Sequence, residues 1–439
     1  MNKLKLHHIY AYIVLLIFGG VVLHAPMTVW FGGLLPDYAL IIKSWKELLL
    51  VLVGIIAVVE VTRAGKWAYF LNDRLIQLSL AFVAVHLLSV VLIPTGLFQV
   101  VAGLMIDLRF IAYFVLVYVL LKLRPEYRSS FGLVGLVGAC IVLGFAMMQH
   151  ILPRDILSAI GYGPSTIMPY LTVDQNPDFV RINSTLRGPN PLGIYAALVL
   201  GLMATYYWSL RRRPDRKKFL LLSLGAIAAI AALYSSYSRS AWIAAAVAVG
   251  VPFLLLKARE LSRRAWTVIS CVIVIVIVAV STNAALFSNL VLHEDPSEGN
   301  NVNSNQGHVE SLSDGLSRMA VQPFGAGVGS TGSASLLGDN PVIIENQYLL
   351  VAHEAGWIGL AIYLALYGLI LVRVWHRRSN WLALGVFSSG LGIAVASLFL
   401  PIFVDDTVSI IWWGLAAAAL IEEGADVRSK TKQKAKRTA

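Results

Sequence analysis

Stretches of about twenty consecutive apolar residues recur along the whole chain, and each is long enough for a helix that crosses a bilayer. A soluble fold has no place for so many of them. Composition agrees, with 58% of the 439 residues hydrophobic and 13% charged. The expected fold class is all-α: a polytopic integral membrane protein of about 12 transmembrane helices, with a large outer-face loop that contains short helices. The runs place spans near 9–29, 40–61, 75–95, 99–121, 130–150, 190–209, 219–234, 240–256, 266–289, 346–372, 381–402 and 407–422. The second contains Lys43, Lys46 and Glu47, and the twelfth is short. The first run is too long for a removed signal peptide and lacks a small-residue cleavage site, so it reads as an anchor.

A net charge of +11 suggests nucleic acid, but its distribution does not. With the amino terminus inside, all but eight of the 35 Lys and Arg fall on inner-face segments. These are the start, 62–74, 122–128, 211–218, 257–264, 373–378 and the tail from Arg428. This is the positive-inside pattern, and it puts both termini in the cytoplasm. The chain then divides into 1–150 (helices one to five), 151–189 (outer loop), 190–289 (helices six to nine), 290–345 (large outer loop), 346–422 (helices ten to twelve) and 423–439 (basic cytoplasmic tail). The tail Lys430–Arg437 is a solvated anchor that can touch anionic lipid. Cys140 and Cys271 both fall in spans and give neither a disulfide framework nor a metal site.

Eight cations oppose the topology rule: Lys43, Lys46, Arg109, Arg154, Arg181, Arg187, Arg239 and Arg318. Arginine in or beside a bilayer is costly, so each needs a reason. Most stand on or near the two long loops, which places the working face outside. The large loop opens as Ser/Asn/Gly/Asp-rich coil, then Val309, Leu312, Leu316 and Met319 recur at spacings of three and four. That pattern predicts a short amphipathic helix over 308–320, on the membrane surface or over the site.

Arg187 precedes Gly188-Pro189-Asn190-Pro191, which opens helix six. A helix amino terminus favours an anion, so the two features together point to phosphate; the plain alternative is pairing with Asp174 or Asp178. Arg239 lies in the tight turn Tyr234–Trp242, where a guanidinium can grip phosphate oxygens or simply meet lipid headgroups. Arg109, two residues after Asp107, reads either as half of an intramembrane ion pair or as a ligand. Gly327-Val-Gly329-Ser-Thr-Gly332 matches a nucleotide-binding pattern without the strand–turn–helix that such a site needs. With Pro323-Phe-Gly325-Ala it reads as tight turn that lets backbone pass close to a helix or a substrate. Glu345 stands where the large loop ends and helix ten begins. It is either a carboxylate favourable to the helix dipole or a base at the edge between water and hydrocarbon. His308, Glu310 and Asp314 lack metal-ligand spacing.

Glu345-Asn346, nine residues, then Gly356-x-x-Gly359 resembles the outer-loop signature of the bacterial O-antigen ligase and O-antigen polymerase superfamily, whose usual form has His-Asn in first place. Ser184-Thr-Leu-Arg187-Gly-Pro-Asn-Pro-Leu-Gly193, Ser238-Arg239-Ser-Ala-Trp242 and Pro323-Phe-Gly-Ala-Gly327 resemble its arginine segments and its Pro-x-Gly-x-Gly stretch, in the right order. The resemblance implies an inverting glycosyltransferase that moves glycan from an undecaprenyl-diphosphate carrier to an acceptor hydroxyl, with no metal or other cofactor. It implies that Arg187 and Arg239 neutralise the leaving diphosphate and that Glu345 is the base. Further substrate contacts are expected from Arg181, Asn190, Arg318, Asn346, His308 and Tyr348.

Glutamate in the histidine position favours a polymerase of surface polysaccharide over a ligase that joins polymer to lipid A-core or another acceptor. Two further readings are a lipid-linked oligosaccharide flippase, which needs polar groups at the midplane and often repeated halves, and a peptidoglycan-type polymerase. The expected partners are the lipid-linked donor, a glycan acceptor, the bilayer and a chain-length regulator or flippase, with no nucleic acid. The expected location is the bacterial cytoplasmic (inner) membrane, with the site on the outer, periplasmic face.

Overall fold

The structure, a computed structural model, describes residues 5–173, 176–210, 215–257 and 304–422. The main helices are α1 (Leu6–Gly20), α2 (His24–Leu34), α3 (Trp45–Ala64), α4 (Arg74–Leu92), α5 (Leu97–Leu123), α6 (Arg128–Gln149) and α7 (Pro189–Leu210). They continue as α8 (Arg216–Ser235), α9 (Arg239–Lys257), α10 (Ser304–Val321), α11 (Gln347–Trp375), α12 (Trp381–Ala396) and α13 (Asp406–Ala419). Among the described residues, seven helical stretches are long and apolar enough to cross a membrane, counting α1 and α2 as the single rod Leu6–Leu34. Shorter apolar helices cover Arg239–Leu255, α12 and α13, while α3 has span length but carries Lys46, Glu47, Glu60 and Arg63. The span expected at 266–289, with Cys271, the coil before α10 and the basic tail, lies outside the described residues.

Small residues set the helix spacing. A Cβ on Gly201 would lie 3.0 Å from Ala248 Cβ, and one on Gly392 would lie 2.4 Å from the Ala244 carbonyl, so α9 approaches α7 and α12 closely. Aromatic rings fill the space between α5, α11 and α13, where Trp412 and Trp413 meet edge-on with centroids 5.3 Å apart and Tyr367 stacks on Trp412 at 4.9 Å.

Three departures from the expected elements have local causes. The second helix breaks at Ser44, between the single turn Ala39–Lys43 and α3. The eleventh stops at Ala396 rather than 402: Leu398, Phe399 and Leu400 prolong the apolar run, but Pro401 cannot donate to a continuing helix. Residues 397–405 form a connection instead. The all-α expectation meets one small exception in the first loop, an antiparallel hairpin of β1 (Leu171–Val173) and β2 (Asn176–Arg181) that pairs Thr172 with Val180.

Arg109 and Asp107 do not pair, because residues two apart on a helix face away from each other. Arg109 Nη1 meets Glu47 (3.2 Å) and Asp406, and its Nη2 donates to the Val404 carbonyl (2.9 Å). Lys46 lies 3.1 Å from Glu47 and 3.2 Å from Asp406. Trp45 Nε1 donates to His24 Nδ1 (3.0 Å), which puts the imidazole proton on Nε2, 2.8 Å from Asp406. Two of the eight stray cations are thereby matched by two carboxylates, from helices far apart in sequence.

Candidate active site

Helices α7 and α9 begin side by side. A Cβ on Gly193 would lie 2.6 Å from Ser236 Oγ and 2.7 Å from Ala241 Cβ, so glycine permits the contact. The Ile182 amide donates to the Ser235 carbonyl (3.1 Å). Arg181 ties both segments together: Nε donates to the Ser236 carbonyl (2.9 Å) and Nη2 to Asn190 Oδ1 (2.7 Å). Arg181 and Asn190 therefore act on each other as a strut.

Ser184 (φ 51) and Tyr237 (φ 48) adopt left-handed backbone, which costs a non-glycine residue about 1–2 kcal/mol. Each stands within three residues of one of the two arginines, and the surroundings hold the strain in place. The Ser184 amide donates to Gln149 Oε1 (2.7 Å) and its hydroxyl to the Val142 carbonyl (2.6 Å). The outcome is Arg187 exposed just ahead of α7 and Arg239 as the first residue of α9. Both stand at the positive ends of helix dipoles.

Glu345 is the last loop residue before α11. It is partly exposed, and its amide donates to Ser311 Oγ of α10 (3.1 Å). The next three side chains turn into the bundle. Asn346 caps α11, accepting from the Tyr348 (2.9 Å) and Leu349 (3.0 Å) amides while its Nδ2 donates to the Leu398 carbonyl (2.8 Å). Gln347 Oε1 accepts from the Phe403 amide (2.8 Å), and the Tyr348 hydroxyl donates to the Ala394 carbonyl (2.7 Å). Among these four residues, Glu345 alone remains at the surface of the helix end with a charged side chain.

The glycines nine residues on have a mechanical reason. Gly356 (φ 70, ψ -174) interrupts α11 with a conformation that is essentially restricted to glycine. In a continuous helix the Trp357 amide would bond the His353 carbonyl. Here the Trp357 amide donates to the Pro323 carbonyl (2.9 Å), and the His353 carbonyl accepts from the Ala326 amide (2.6 Å). The stretch Pro323–Gly327 thus supplies both missing partners. A Cβ on Gly325 would lie 2.8 Å from the Gly356 nitrogen, and one on Gly356 would lie 2.6 Å from the Pro323 carbonyl. The Pro-x-Gly-x-Gly and Gly-x-x-Gly stretches are two halves of one joint, which aims the first turns of α11 and therefore Glu345.

The expected amphipathic helix is α10. It lies over the start of α11, with Gly315 against Leu349 and Ile344, and with Met319 accepting from Trp357 Nε1 (2.7 Å). Arg318 sits on it, paired with Asp314 at 2.6 Å. The side chain of His308 and all of Asp174 lie outside the described residues.

The connection 397–405 joins the start of α11 to the buried Arg109 network. On one side Ser397, Leu398 and Phe403 bond Gln347 and Asn346; on the other Val404 bonds Arg109, and Asp405 caps α13 by accepting from the Val408 amide (2.9 Å). Burial pushes the Asp405 carboxyl up to about 6; neighbouring Asp406 adds to the rise, while the Val408 amide, Arg187 and Arg109 draw it down. Asp405 and Asp406 escaped the sequence reading, although two adjacent carboxylates opening a wholly apolar run are a visible signal.

Residues 224–364 match the family model described as O-antigen ligase. The match takes in Arg239, Glu345 and both halves of the glycine joint, whereas Arg187 and Asp405 lie outside it. Among curated proteins, none matches the chain. Its paired arginine segments and its kinked, asparagine-capped signature helix accompany a stretch, 224–364, that is similar to the O-antigen ligase family.

Proposed function

We propose that this membrane enzyme polymerises a surface polysaccharide by moving glycan from an undecaprenyl-diphosphate donor to the hydroxyl of a second lipid-linked unit. Two observations support the reading: Arg187 and Arg239 stand at helix amino termini tied to each other by Arg181, and Glu345 stands at the amino terminus of α11, which the connection 397–405 holds. Glu345 takes the acceptor proton, and the freed oxygen attacks the anomeric carbon from the side opposite the diphosphate. The glycosidic bond breaks with inversion, and its electron pair stays on the diphosphate, held by the two guanidiniums. Neither a metal nor another cofactor is needed for these steps. Arg318 and the helix that carries it border the acceptor side. The site then faces the outer, periplasmic side of the cytoplasmic membrane, with both termini inside and twelve spans in all. A chain-length regulator or flippase is the natural partner.

A second reading, ligation of finished polymer to lipid A-core or another acceptor, is favoured by the description of the matching family.

The donor role is tested with Arg187→Ala and Arg239→Ala. Each removes charge-assisted hydrogen bonds worth about 1.5–3 kcal/mol, so donor turnover drops roughly 10- to 100-fold. Initial rates with purified protein and lipid-linked donor measure it, and a variant that keeps its rate removes that arginine from the diphosphate.

A further inference from the structure

The start of α5 packs against the glycine loop, with Gly103 on Gly329, and the helix ends about 40 Å away at the other face of the bundle. The start of α1 meets it there, because the two helices run antiparallel. The Tyr10 hydroxyl donates to the Leu116 carbonyl (2.7 Å) and the Tyr113 hydroxyl to the Val14 carbonyl (3.0 Å). These two ends and the end of α3 enclose an open cavity of about 560 Å³, lined by Lys5, His7, Glu60, Arg63 and Arg124.

The charges lining this cavity do not balance. Three cations stand against one carboxylate, and Glu60 meets Arg63 only at a loose 3.8 Å. Arg124 Nε is shielded from solvent, and among the described residues it has no hydrogen-bond partner. A shielded donor left unpaired is costly, so this position calls for an acceptor. The positive end of α1 adds to the demand: Lys5 supplies no side-chain cap, and Leu6 also lines the cavity. Just beyond α3, Trp67 and Tyr69 are exposed, with Lys66 and Lys122 each 5.9 Å from the centre of the Tyr69 ring. Exposed aromatics among cations mark the level of lipid headgroups.

We propose that this cavity holds the headgroup of a phospholipid with two phosphates, cardiolipin, from the inner leaflet. The surplus of two positive charges, three less one, equals the charge of that headgroup. Phosphatidylglycerol brings half of it. Basic pockets between spans on the cytoplasmic side suit such headgroups. The flanking faces suit the acyl chains: Tyr12 and Leu16 of α1 and Ile55 and Val58 of α3 are exposed. This apolar border favours a lipid over a soluble phosphate. The site stands at the opposite end of the bundle from Glu345 and does not depend on the donor reading.

Native mass spectrometry of the purified, delipidated full chain, titrated with cardiolipin, phosphatidylglycerol or inorganic diphosphate, reads the binding. Cardiolipin should bind roughly fivefold tighter than phosphatidylglycerol, because its second phosphate meets a further cation. Lys5 and Arg63 are exposed, so Lys5→Gln/Arg63→Gln keeps the fold and should weaken cardiolipin by roughly 25-fold. Arg124→Gln alone should cost roughly fivefold. Arg377→Gln/Arg378→Gln, outside the cavity at the same end of the bundle, should leave the affinity nearly unchanged. Equal losses in the two double variants overturn the site in favour of general surface charge. Cardiolipin no tighter than phosphatidylglycerol overturns the two-phosphate ligand, and inorganic diphosphate that binds as tightly as cardiolipin overturns the lipid.

Discussion

Glu345→Gln should lose glycan transfer almost completely, by roughly 10²–10⁴-fold, while the protein still inserts and folds. Glutamine keeps the size of the side chain and its ability to accept hydrogen bonds, and removes the ability to take a proton from the acceptor. The structure explains why folding should survive. The Glu345 amide bond to Ser311 and the bonds of the Asn346, Gln347 and Tyr348 side chains all persist with glutamine in place. The check is the single-turnover rate with saturating lipid-linked substrate, beside the melting temperature of the same preparation. A rate within about threefold of wild type takes the base role away from Glu345.

Gly356→Ala should be the most damaging single methyl in the signature helix. The substitution forces alanine into a backbone region that is essentially closed to it, and sets its Cβ 2.6 Å from the Pro323 carbonyl and 2.7 Å from the Phe324 carbonyl carbon. Backbone strain and overpacking each cost about 1–3 kcal/mol, so the sum is on the order of 3 kcal/mol or more. If α11 relaxes by straightening, the Trp357 amide returns to His353, and Pro323 and Ala326 lose their partners. Glu345 then points elsewhere. Thermal unfolding in detergent should shift down by several degrees, and transfer should fall well beyond the loss of folded protein. Unchanged melting and unchanged activity together would show that the joint has no part in placing Glu345.

How much of this was legible in the sequence depends on the distance between partners. Helix positions follow from apolar runs, and most boundaries fall within a few residues of those read from hydropathy. Arg187, Arg239 and Glu345 stood out because charge at the wrong face, or at the end of a span, contradicts the topology rule. The pairing of Arg109 did not: its partners Glu47 and Asp406 lie 62 residues before it and on the last helix, and periodicity names a face rather than a neighbour. Proximity in sequence pointed instead to Asp107, which the helix turns away. The connection 397–405 was hidden by its own composition, because Leu398, Phe399 and Leu400 read as more helix although they lead into the link between the start of α11 and Arg109. The glycine motifs were visible as motifs. That they exchange hydrogen bonds with each other became visible only with the register of α11.

The central claim is that this end of the bundle joins one lipid-linked glycan to another. It is tested most directly by incubating the purified protein with a single lipid-linked repeat unit and no other acceptor, and resolving the products by size. A ladder of lengths that disappears in Glu345→Gln is the expected result. Product that forms only when a different acceptor is supplied would contradict polymerisation in favour of ligation, and no product with either acceptor would contradict glycan transfer itself.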